Sequence, residues 1–289
     1  MSAAISTRPA VLADAETLDR ITLASQDQGD EVLAPTAGVH VPYLRYLIGR
    51  GRVVVGEADG TPVGFAASVR TGRSTHLADL FVLPEWQGHG VGRRLLDEVL
   101  GDDRPRTTFG SGDPRAVPLY LRAGMQAYWP NLYLSGDPRR LPPIDPTLRV
   151  VDAEVAWVAA LDGVWTGADR GPDVGYWATL PERRSFVIER VADGRAVGVG
   201  LARARFSGPG RWVARAVAAP DADGAPILLA ALHHGLGGTD IGGGCLPGAA
   251  PIVRTLLEAG FRILDRDTFL ASDPSVVDPL REIVDTGVL

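Results

Sequence analysis

Apolar and polar positions along the chain predict a strand, a glycine-rich turn and a helix in close succession. The run from Leu77 to Leu83 is apolar apart from Asp79 and stops at Pro84, which is typical of a buried strand. From Val91 onwards apolar residues recur at helical spacing, and charged residues occupy the opposite face. The turn between the two elements, Gln87 to Gly92, is rich in glycine. This pattern places a permissive backbone segment directly at the start of a helix.

Sequence landmarks occur twice along the chain. Ala58-Asp59-Gly60 and Ala192-Asp193-Gly194 each lie between two apolar runs, and each predicts a β-hairpin whose Asp-Gly supplies the positive φ of the turn. Asp14 and Asp152 each precede an apolar-periodic stretch and predict an Asp-capped first helix. Three later landmarks repeat at a spacing of 136 residues: Pro84 with Pro220, Ala123-Gly124-Met125 with Ala259-Gly260-Phe261, and Asn131-Leu132-Tyr133-Leu134 with Asp267-Thr268-Phe269-Leu270. Chance similarity in an Ala- and Gly-rich chain is the alternative, but the shared order favours an internal duplication.

The repeat divides the chain into two similar domains. Residues 135–148 begin with a proline-rich stretch, Ser135 to Pro146, that favours neither helix nor sheet and predicts a linker. Residues 1–134 and 149–289 are then two domains of ordinary size. We expect an α/β (α+β) fold for both domains.

The glycine-rich turn has the chemistry of an anion site. Backbone N–H groups at the start of a helix lack partners within the helix, and the helix dipole adds partial positive charge there. Glycines let a pyrophosphate approach this backbone, and Arg93 adds a charge-assisted contact. A tight turn without a ligand is the alternative. No Gly-Lys-Ser/Thr ending and no Gly-x-Gly-x-x-Gly with a later acidic residue is present, which disfavours ATP and NAD.

The strand and turn resemble the acetyl-CoA signature of the GNAT superfamily of N-acetyltransferases, and Gly112 to Met125 resembles the next family element. The resemblance implies two tandem GNAT-like domains, each a mostly antiparallel mixed sheet flanked by helices. It also implies that the strand's main chain pairs with the pantetheine arm and that the turn holds the pyrophosphate of acetyl-CoA. The implied cofactor-binding residues are Leu80, Phe81, Val82, Gln87, Gly88, His89, Gly90, Val91, Gly92, Arg93 and Asp113. The family more often has Asn than Asp at position 113.

Two residues are candidates for catalysis. By resemblance, Tyr120 protonates the leaving thiolate of CoA; a purely core position is the alternative. Some relatives carry a catalytic Glu where this chain has Ala78. Asp79 is therefore the first candidate for the general base and His76 the second, while a structural carboxylate is the alternative reading of Asp79.

Acceptor recognition in the superfamily usually involves the first two helices and their connection, here Ala24 to Leu47. Acidic and aromatic side chains in this stretch are suited to a cationic amine. They are Asp27, Asp30, Glu31, Tyr43 and Tyr46. In the second repeat the turn becomes Asp221 to Leu228, which keeps one glycine of three and gains Pro226 and Asp223. We therefore expect the second domain to have lost the acetyl-CoA site.

Composition narrows the function classes. The net charge is −6, which disfavours nucleic acid and anionic membrane surfaces as partners and suits a small-molecule or peptide amine. All 29 basic residues counted as Lys or Arg are Arg, which excludes Schiff-base chemistry on Lys. Cys245 is the single cysteine, so neither a disulfide nor a zinc site is expected, and no metal is implied. We expect a cytoplasmic monomer or homodimer.

The sequence thus predicts an acetyl-CoA-dependent N-acetyltransferase acting on a primary amine. Two alternatives stay open: an acetyl-CoA-binding sensor without turnover, and an acyltransferase that uses another acyl-CoA. A tandem arrangement also resembles, in architecture alone, mycothiol-pathway acetyltransferases.

Overall fold

A large, mostly antiparallel sheet runs through the computed structural model, which describes residues 4–25 and 37–288. The strands are β1 (Ile5–Pro9), β2 (Arg52–Ala58), β3 (Thr61–Arg70), β4 (Thr75–Val82), β5 (Arg106–Gly110), β6 (Gln126–Gly136), β7 (Leu148–Asp152), β8 (Arg184–Arg190), β9 (Ala196–Ala204), β10 (Arg211–Ala218), β11 (Gly242–Pro247), β12 (Arg262–Ala271) and β13 (Glu282–Ile283). The helices are α1 (Ala15–Ser25), α2 (Val41–Arg50), α3 (Val91–Leu100), α4 (Ala116–Arg122), α5 (Val155–Thr166), α6 (Val174–Thr179), α7 (Gly224–Leu236) and α8 (Ile252–Glu258).

The first half of the chain, which contains β1 to β6, and the second half, which contains β7 to β13, exchange β6 and β12 in the sheet. The strand order is β1-β2-β3-β4-β5-β12-β6-β11-β10-β9-β8-β7. Strand β12 of the second half pairs with β5, and β6 of the first half pairs with β11. The two exchanged strands also pair with each other, with Asn131 opposite Asp267. Each half of the sheet is therefore completed by the other half of the chain.

Helices cover both faces of the sheet and bury separate apolar clusters. In the first half α1 and α2 pack on the face that carries Phe65, whereas α3 packs on the face that carries Ala66 and Leu77. In the second half α7 and α8 pack around Phe186. Adjacent strand residues thus serve opposite faces, as the alternation of a sheet requires. Across residues 4–25 and 37–288, no helix is long and apolar enough to cross a membrane.

The structure agrees with the sequence predictions for elements that are determined by residues close together in the chain. Strand β4, helix α3 and the first hairpin are confirmed, and Asp59 and Gly60 have φ of 47° and 81°. The second hairpin is confirmed as well, with a longer loop in which Gly194 of the Asp-Gly pair supplies the positive φ, 69°, and Asp193 does not.

The expected Asp caps and the expected linker differ from the structure in detail. Asp152 ends β7 and contacts His234 at 2.9 Å, so it does not cap α5, whose N-cap is Glu154. Asp14 belongs to a 3-10 turn before α1, where its carboxylate accepts a hydrogen bond from the Val11 N–H at 2.8 Å. Of residues 135–148, the first two end β6, residues 138–140 form a 3-10 turn and the last begins β7. The division of the chain at residue 134 stays a prediction.

A buried network of charges joins the two halves. Arg215 of β10, with a side chain 1% exposed, donates to Asp162 at 2.8 Å and to Glu282 at 2.8 Å. Glu282 also pairs with Arg73 of the first half at 3.3 Å. Arg170 contacts Asp162 at 3.4 Å. Each of these carboxylates faces a guanidinium, which is the condition under which buried charges are tolerated.

The network extends to α2. Asp173 contacts Arg170 at 3.3 Å, accepts a hydrogen bond from the Tyr46 hydroxyl at 2.7 Å and contacts Arg50 at 3.3 Å. The neighbouring arginines hold the pKa of Asp162 and Glu282 below their ordinary values despite burial. The contact between the halves therefore depends on matched charges as well as on apolar packing.

We expect Arg215→Met to lower the free energy of unfolding by about 3–5 kcal/mol, because it leaves two buried carboxylates short of a cation. Chemical denaturation measures this loss. Arg195→Met is the matched control: it breaks an exposed pair with Asp221 and should cost less than about 1 kcal/mol. Equal stabilities of the two variants would contradict the role assigned to the network.

Candidate functional site

A cleft opens between β4 and β5 near the middle of the sheet. The two strands pair in parallel only where residues 75–77 meet residues 106–108. Beyond this point β4 continues to pair with β3, and β5 with β12. The register of β4 against β3 shifts by one residue, leaving Ala78 as the extra residue of a β-bulge. Such a bulge bends a strand and redirects its side chains, so β4 leaves β5 here and exposes an edge.

The exposed edge of β4 presents main-chain groups at two positions. Leu83 N donates to Val63 O at 2.9 Å, and this bond shows which residues of β4 form hydrogen-bonded pairs with β3. Because hydrogen-bonded pairs alternate along antiparallel strands, Phe81 bonds to β3 while the main-chain groups of Leu80 and Val82 point into the cleft. In the described part of the chain no strand pairs with Leu80 and Val82 on this side, so their N–H groups face the cleft, whereas Val82 O already accepts from Gln87 Nε2 at 2.9 Å and from Ser25 Oγ at 3.2 Å. The side chain of Phe81 packs on Phe65, with 5.7 Å between the ring centroids.

The glycine-rich turn leads from this edge into α3. Gly88 and Gly90 have φ of 78° and 82°, and a Cβ at either position would meet no protein atom within 4 Å. Gly92 is different, because its φ is not positive and a Cβ there would make only ordinary contacts, 3.7 Å from Val82. The fold requires glycine at 88 and 90 for conformation. The fold does not require glycine at 92 for conformation. The absence of a side chain at Gly92 therefore leaves room for a ligand.

Helix α3 directs its first N–H groups toward the turn. Gly90 is the N-cap, Val91 is the first helical residue, and the first intrahelical bond runs from Arg94 N to Gly90 O at 3.1 Å. The N–H groups of residues 91–93 thus precede the first intrahelical donor. The Arg93 side chain is exposed and lies 3.8 Å from Asp97. His89 is exposed, with Nδ1 2.9 Å from Gln87 O.

Gln87 links the turn to both the strand and the next helix. Its Nε2 donates to Val82 O at 2.9 Å, and its Oε1 accepts from Arg115. The Asp113 carboxylate pairs with the Arg115 guanidinium at 2.7 Å and accepts from the Arg115 N–H at 2.8 Å. The structure therefore brings Asp113 to the rim of the turn with its charge balanced by Arg115. Sequence reasoning missed Arg115, although its position two residues after Asp113 was a signal for such a turn.

Tyr120 stands at the inner end of the cleft. Its side chain is 6% exposed, and its ring packs against Gly110 of β5 and Leu270 of β12. Within the described ranges, 4–25 and 37–288, the hydroxyl has no hydrogen-bond partner in the protein. Burial, followed by the negative charges of Asp267, Asp113 and Asp79, raises the pKa of Tyr120 above its ordinary value. The hydroxyl is therefore a protonated donor without a partner.

Asp79 lies on β4 on the face covered by α2. Burial raises the pKa of Asp79 to about 7; the Tyr43 hydroxyl works against this shift and the charge of Asp285 adds to it. A carboxyl group with this pKa exchanges protons near neutral pH, which suits general-base chemistry.

His76 is less suited to this role. It is fully buried, with Nε2 2.9 Å from Thr286 O and Nδ1 3.1 Å from Thr107 Oγ1. A carbonyl oxygen can only accept, so Nε2 carries the proton and Nδ1 accepts from the Thr107 hydroxyl. Burial lowers the pKa of His76 to about 4. Both ring nitrogens are engaged, so this side chain acts as a structural link to the C-terminal segment.

Aromatic residues of α2 border the cleft on its other side. The Tyr43 hydroxyl donates to Gly287 O at 3.3 Å. Tyr46 stacks on Tyr176 with 4.4 Å between the ring centroids and donates to Asp173. The remaining acceptor-site candidates, Asp27, Asp30 and Glu31, lie outside the described residues.

The corresponding cleft of the second half is filled by the chain itself. Strands β10 and β11 pair in parallel only where residues 211–213 meet residues 242–244, as β4 and β5 do. Beyond this point β13 pairs with β10, with Ile283 opposite Ala216 and Glu282 opposite Val217. At the start of α7, Asp223 accepts from Ala225 N at 3.2 Å, and the backbone of Leu280 leaves no room for a Cβ at Gly224. Protein groups therefore cover the edge and the helix start that are open in the first half.

No group of three or more His, Cys, Asp or Glu side chains that could hold a metal ion occurs in residues 4–25 and 37–288. The candidate site thus consists of a strand edge, a helix start, a tyrosine and a carboxylate.

Comparisons with known proteins identify the same region. Residues 49–126 match the family model described as acetyltransferase (GNAT) domain. A protein of Archaeoglobus fulgidus described as an uncharacterized N-acetyltransferase is 36% identical over 67 residues, which cover 20% of this chain and 46% of that protein. The chain therefore matches less than half the length of this relative.

Solved structures match the fold of the whole chain. A Pyrococcus horikoshii protein provisionally named an acetyltransferase has a TM-score of 0.74 at 14% identity, over 99% of this chain and 96% of that one. A tandem GNAT protein from the clavulanic acid biosynthesis pathway has a TM-score of 0.63 at 16% identity, over 94% of this chain and 99% of that one. Residues 49–126 thus match the GNAT acetyltransferase family model, and the chain as a whole has the same fold as these solved structures.

Proposed function

We propose that the chain is an acetyl-CoA-dependent N-acetyltransferase that acts on a primary amine of a small molecule or peptide. The observation that carries this proposal is the open edge of β4, which leads through the glycine-rich turn to the start of α3, with the unpartnered Tyr120 hydroxyl at its inner end. These elements match the three parts of an acyl-CoA: an extended amide-containing arm, a pyrophosphate and a thioester.

The proposed binding mode uses main-chain groups for most contacts. The pantetheine amides pair with Leu80 and Val82 as an additional strand would. The pyrophosphate accepts hydrogen bonds from the turn and from the N–H groups of residues 91–93, where the helix dipole favours negative charge. Arg93, exposed and 3.8 Å from Asp97, adds a positive charge at this position.

Acyl transfer requires a neutral amine, a polarised carbonyl and a protonated leaving thiolate. Asp79 removes a proton from the acceptor ammonium, directly or through water. The Val82 N–H, which points into the cleft, polarises the thioester carbonyl. The neutral amine attacks the carbonyl carbon and forms the C–N bond, and the C–S bond breaks as Tyr120 donates its proton to the departing sulfur of CoA. The proton that the new amide nitrogen loses returns to Tyr120, so the products are the amide and the free thiol of CoA. The raised pKa of Tyr120 keeps the hydroxyl protonated until the thiolate forms.

The second half contributes no second acetyl-CoA site under this proposal. Its equivalent cleft contains β13, and its helix start is capped by Asp223. One acetyl-CoA per chain is therefore the expected stoichiometry. Neither the acidic net charge nor the described surface favours nucleic acid as a partner.

Calorimetric titration with acetyl-CoA, followed by a free-thiol release assay with a panel of amines, tests the proposed function. One site per chain with amine-dependent thiol release is the expected result. Binding without thiol release for any amine would favour a sensor, and release only with succinyl- or propionyl-CoA would identify a different acyl donor. Absence of binding would refute the proposal.

Gly90→Glu should abolish acetyl-CoA binding, because a carboxylate would stand where the pyrophosphate binds. Calorimetry measures the loss. Gly60→Glu is the matched control: Gly60 also has positive φ, 81°, and open space around its Cβ position, but it lies in the β2–β3 turn. Both variants carry similar backbone strain, so retained binding in Gly60→Glu alone would assign the effect to the site. Residual stoichiometric binding in Gly90→Glu would place the site elsewhere.

Tyr120→Phe should lower kcat about 100-fold while the Kd for acetyl-CoA stays within about twofold, because only the proton donor is lost. Thermal stability should hardly change, since the hydroxyl has no partner among the described residues. Tyr128→Phe, at a position 40% exposed on β6, is the control and should keep full activity. An unchanged kcat in Tyr120→Phe would remove Tyr120 from the mechanism.

The pH profile of kcat/KM should rise through about pH 7, where Asp79 loses its proton. Asp79→Asn should lower kcat/KM and lack this rise, while the ionisation of the amine itself is common to both proteins. Because a raised carboxyl pKa makes folding less favourable as the group ionises, Asp79→Asn should be at least as stable as the parent protein at pH 8. A rise near pH 7 that persists in Asp79→Asn would exclude Asp79 as the base.

A further inference from the structure

Two partly buried carboxylates, Asp79 and Asp267, lack a cation in the described part of the chain. The buried carboxylates of the charge network, Asp162, Asp173 and Glu282, each contact an arginine. Asp79 and Asp267 form no ion pair within residues 4–25 and 37–288, although the chain has 29 arginines. Burying a carboxylate without a partner is costly. The pattern indicates a positively charged ligand.

Asp267 reaches the cleft because of the strand exchange. It lies on β12, which pairs with β5 on the side away from β4, and it directly precedes Thr268, the residue opposite Gly110 at the end of β5. The Tyr133 hydroxyl donates to Asp267 Oδ2 at 2.6 Å. This bond orients the carboxylate and leaves Oδ1 to accept from another group. The negative charges of Asp267 and Asp79 both raise the pKa of Tyr120, so each carboxylate lies close enough to act on this hydroxyl.

Asn131 provides an independent sign of a ligand. It is 0% exposed, and neither Nδ2 nor Oδ1 of its amide has a hydrogen-bond partner in the described part of the chain. Asn131 of β6 stands directly opposite Asp267 of β12. Side chains of opposed residues in an antiparallel pair project from the same face. A buried amide without partners is rare and destabilising, so its donor and acceptor are available beside the Asp267 carboxylate.

We propose that Asp267, contributed by the second half of the chain, binds the ammonium group of the acceptor, and that Asn131 binds a hydroxyl or carboxamide of the same molecule. The acceptor is then a small primary amine with net positive charge and a neutral polar group close to its nitrogen. This inference rests on the proposed function and adds the acceptor class to it.

The surrounding charges agree with a cation and disfavour an anion. Asp285 adds a third carboxylate near Asp79, and Asp265 adds negative charge near Asp267. Arg203 is a buried cation that interacts with Asp285 and lies 3.5 Å from the ring centroid of Phe206. A free amino acid would bring its carboxylate toward this acidic site, whereas the corresponding amino-acid amide would not.

Direct binding tests the inference without relying on turnover. The probes are L-serinamide, L-leucinamide and L-phenylalaninamide, each compared with its free amino acid, and binding to the full chain with CoA present is measured by saturation-transfer NMR. At least one amide should bind at least tenfold more tightly than its amino acid. Asp267→Asn should weaken amide binding at least tenfold and leave CoA binding unchanged. Asp265→Asn, which removes an exposed carboxylate two residues away, should alter amide affinity less than twofold.

Three results would overturn the inference: no amide binds, amides and amino acids bind equally, or Asp267→Asn binds amides as the parent chain does. Calorimetry with acetyl-CoA is scored separately, so failure of the proposed function appears as absent CoA binding or absent thiol release. A loss of folding in Asp267→Asn is checked by circular dichroism, and Tyr133→Phe then replaces it. That variant frees the Asp267 carboxylate from its orienting bond and should weaken amide binding at least threefold.

Asn131→Leu separates a ligand-binding role from a structural one. Removing a buried amide that has no partner should leave the melting temperature unchanged or raise it, because an apolar group of similar volume needs no hydrogen bonds. Amide binding should fall at least fivefold. A lower melting temperature with unchanged amide affinity would show that Asn131 supports the fold and would remove it from the acceptor site.

Discussion

The buried charge network around Arg215 constrains much of the molecule. Arg215 lies between Asp162 of α5 and Glu282 of β13, and Glu282 also faces Arg73 of the first half. Because an unpaired buried charge is far costlier than a paired one, the two halves and the C-terminal segment satisfy this network together. The network fixes β13, and β13 determines where residues 284–288 run. That segment then contacts His76 and Tyr43 beside the cleft.

The position of the cleft follows from two backbone features. The bulge at Ala78 separates β4 from β5, and the exchange of final strands places β12 on the far side of β5. One wall therefore comes from the first half of the chain and the other partly from the second. Main-chain groups on the β4 edge suit a ligand that is the same in every turnover, whereas side chains near β12 suit a ligand that differs between related proteins. Under the proposed function, the architecture separates donor binding from acceptor choice.

The sequence predicted correctly those elements whose local backbone geometry requires particular residues. Strand β4, helix α3 and the glycines at 88 and 90 follow from local patterns, because positive φ and helical periodicity leave direct marks on the sequence. The repeat indicated that similar elements occur in both halves, but it did not predict the strand exchange. Repeated landmarks lie 136 residues apart whether a strand pairs within its own half or with the other half. Asp267 was visible only as the counterpart of Asn131. Its place beside the cleft depends on that long-range pairing, which no local pattern encodes.

The exchange of β6 and β12 also bears on how such a gene can evolve. Deleting residues 149–289 removes the strand between β5 and β6, and deleting residues 1–134 removes a neighbour of β11. Selection for a folded product therefore retains both halves, whatever ligand each one binds. The turn from Asp221 to Leu228 contributes no strand to this sheet, and packing restricts Gly224 and Leu228 but leaves Asp221 and Asp223 exposed. Mutual dependence of the halves preserves the length of the gene while leaving the chemistry of its second half free to diverge.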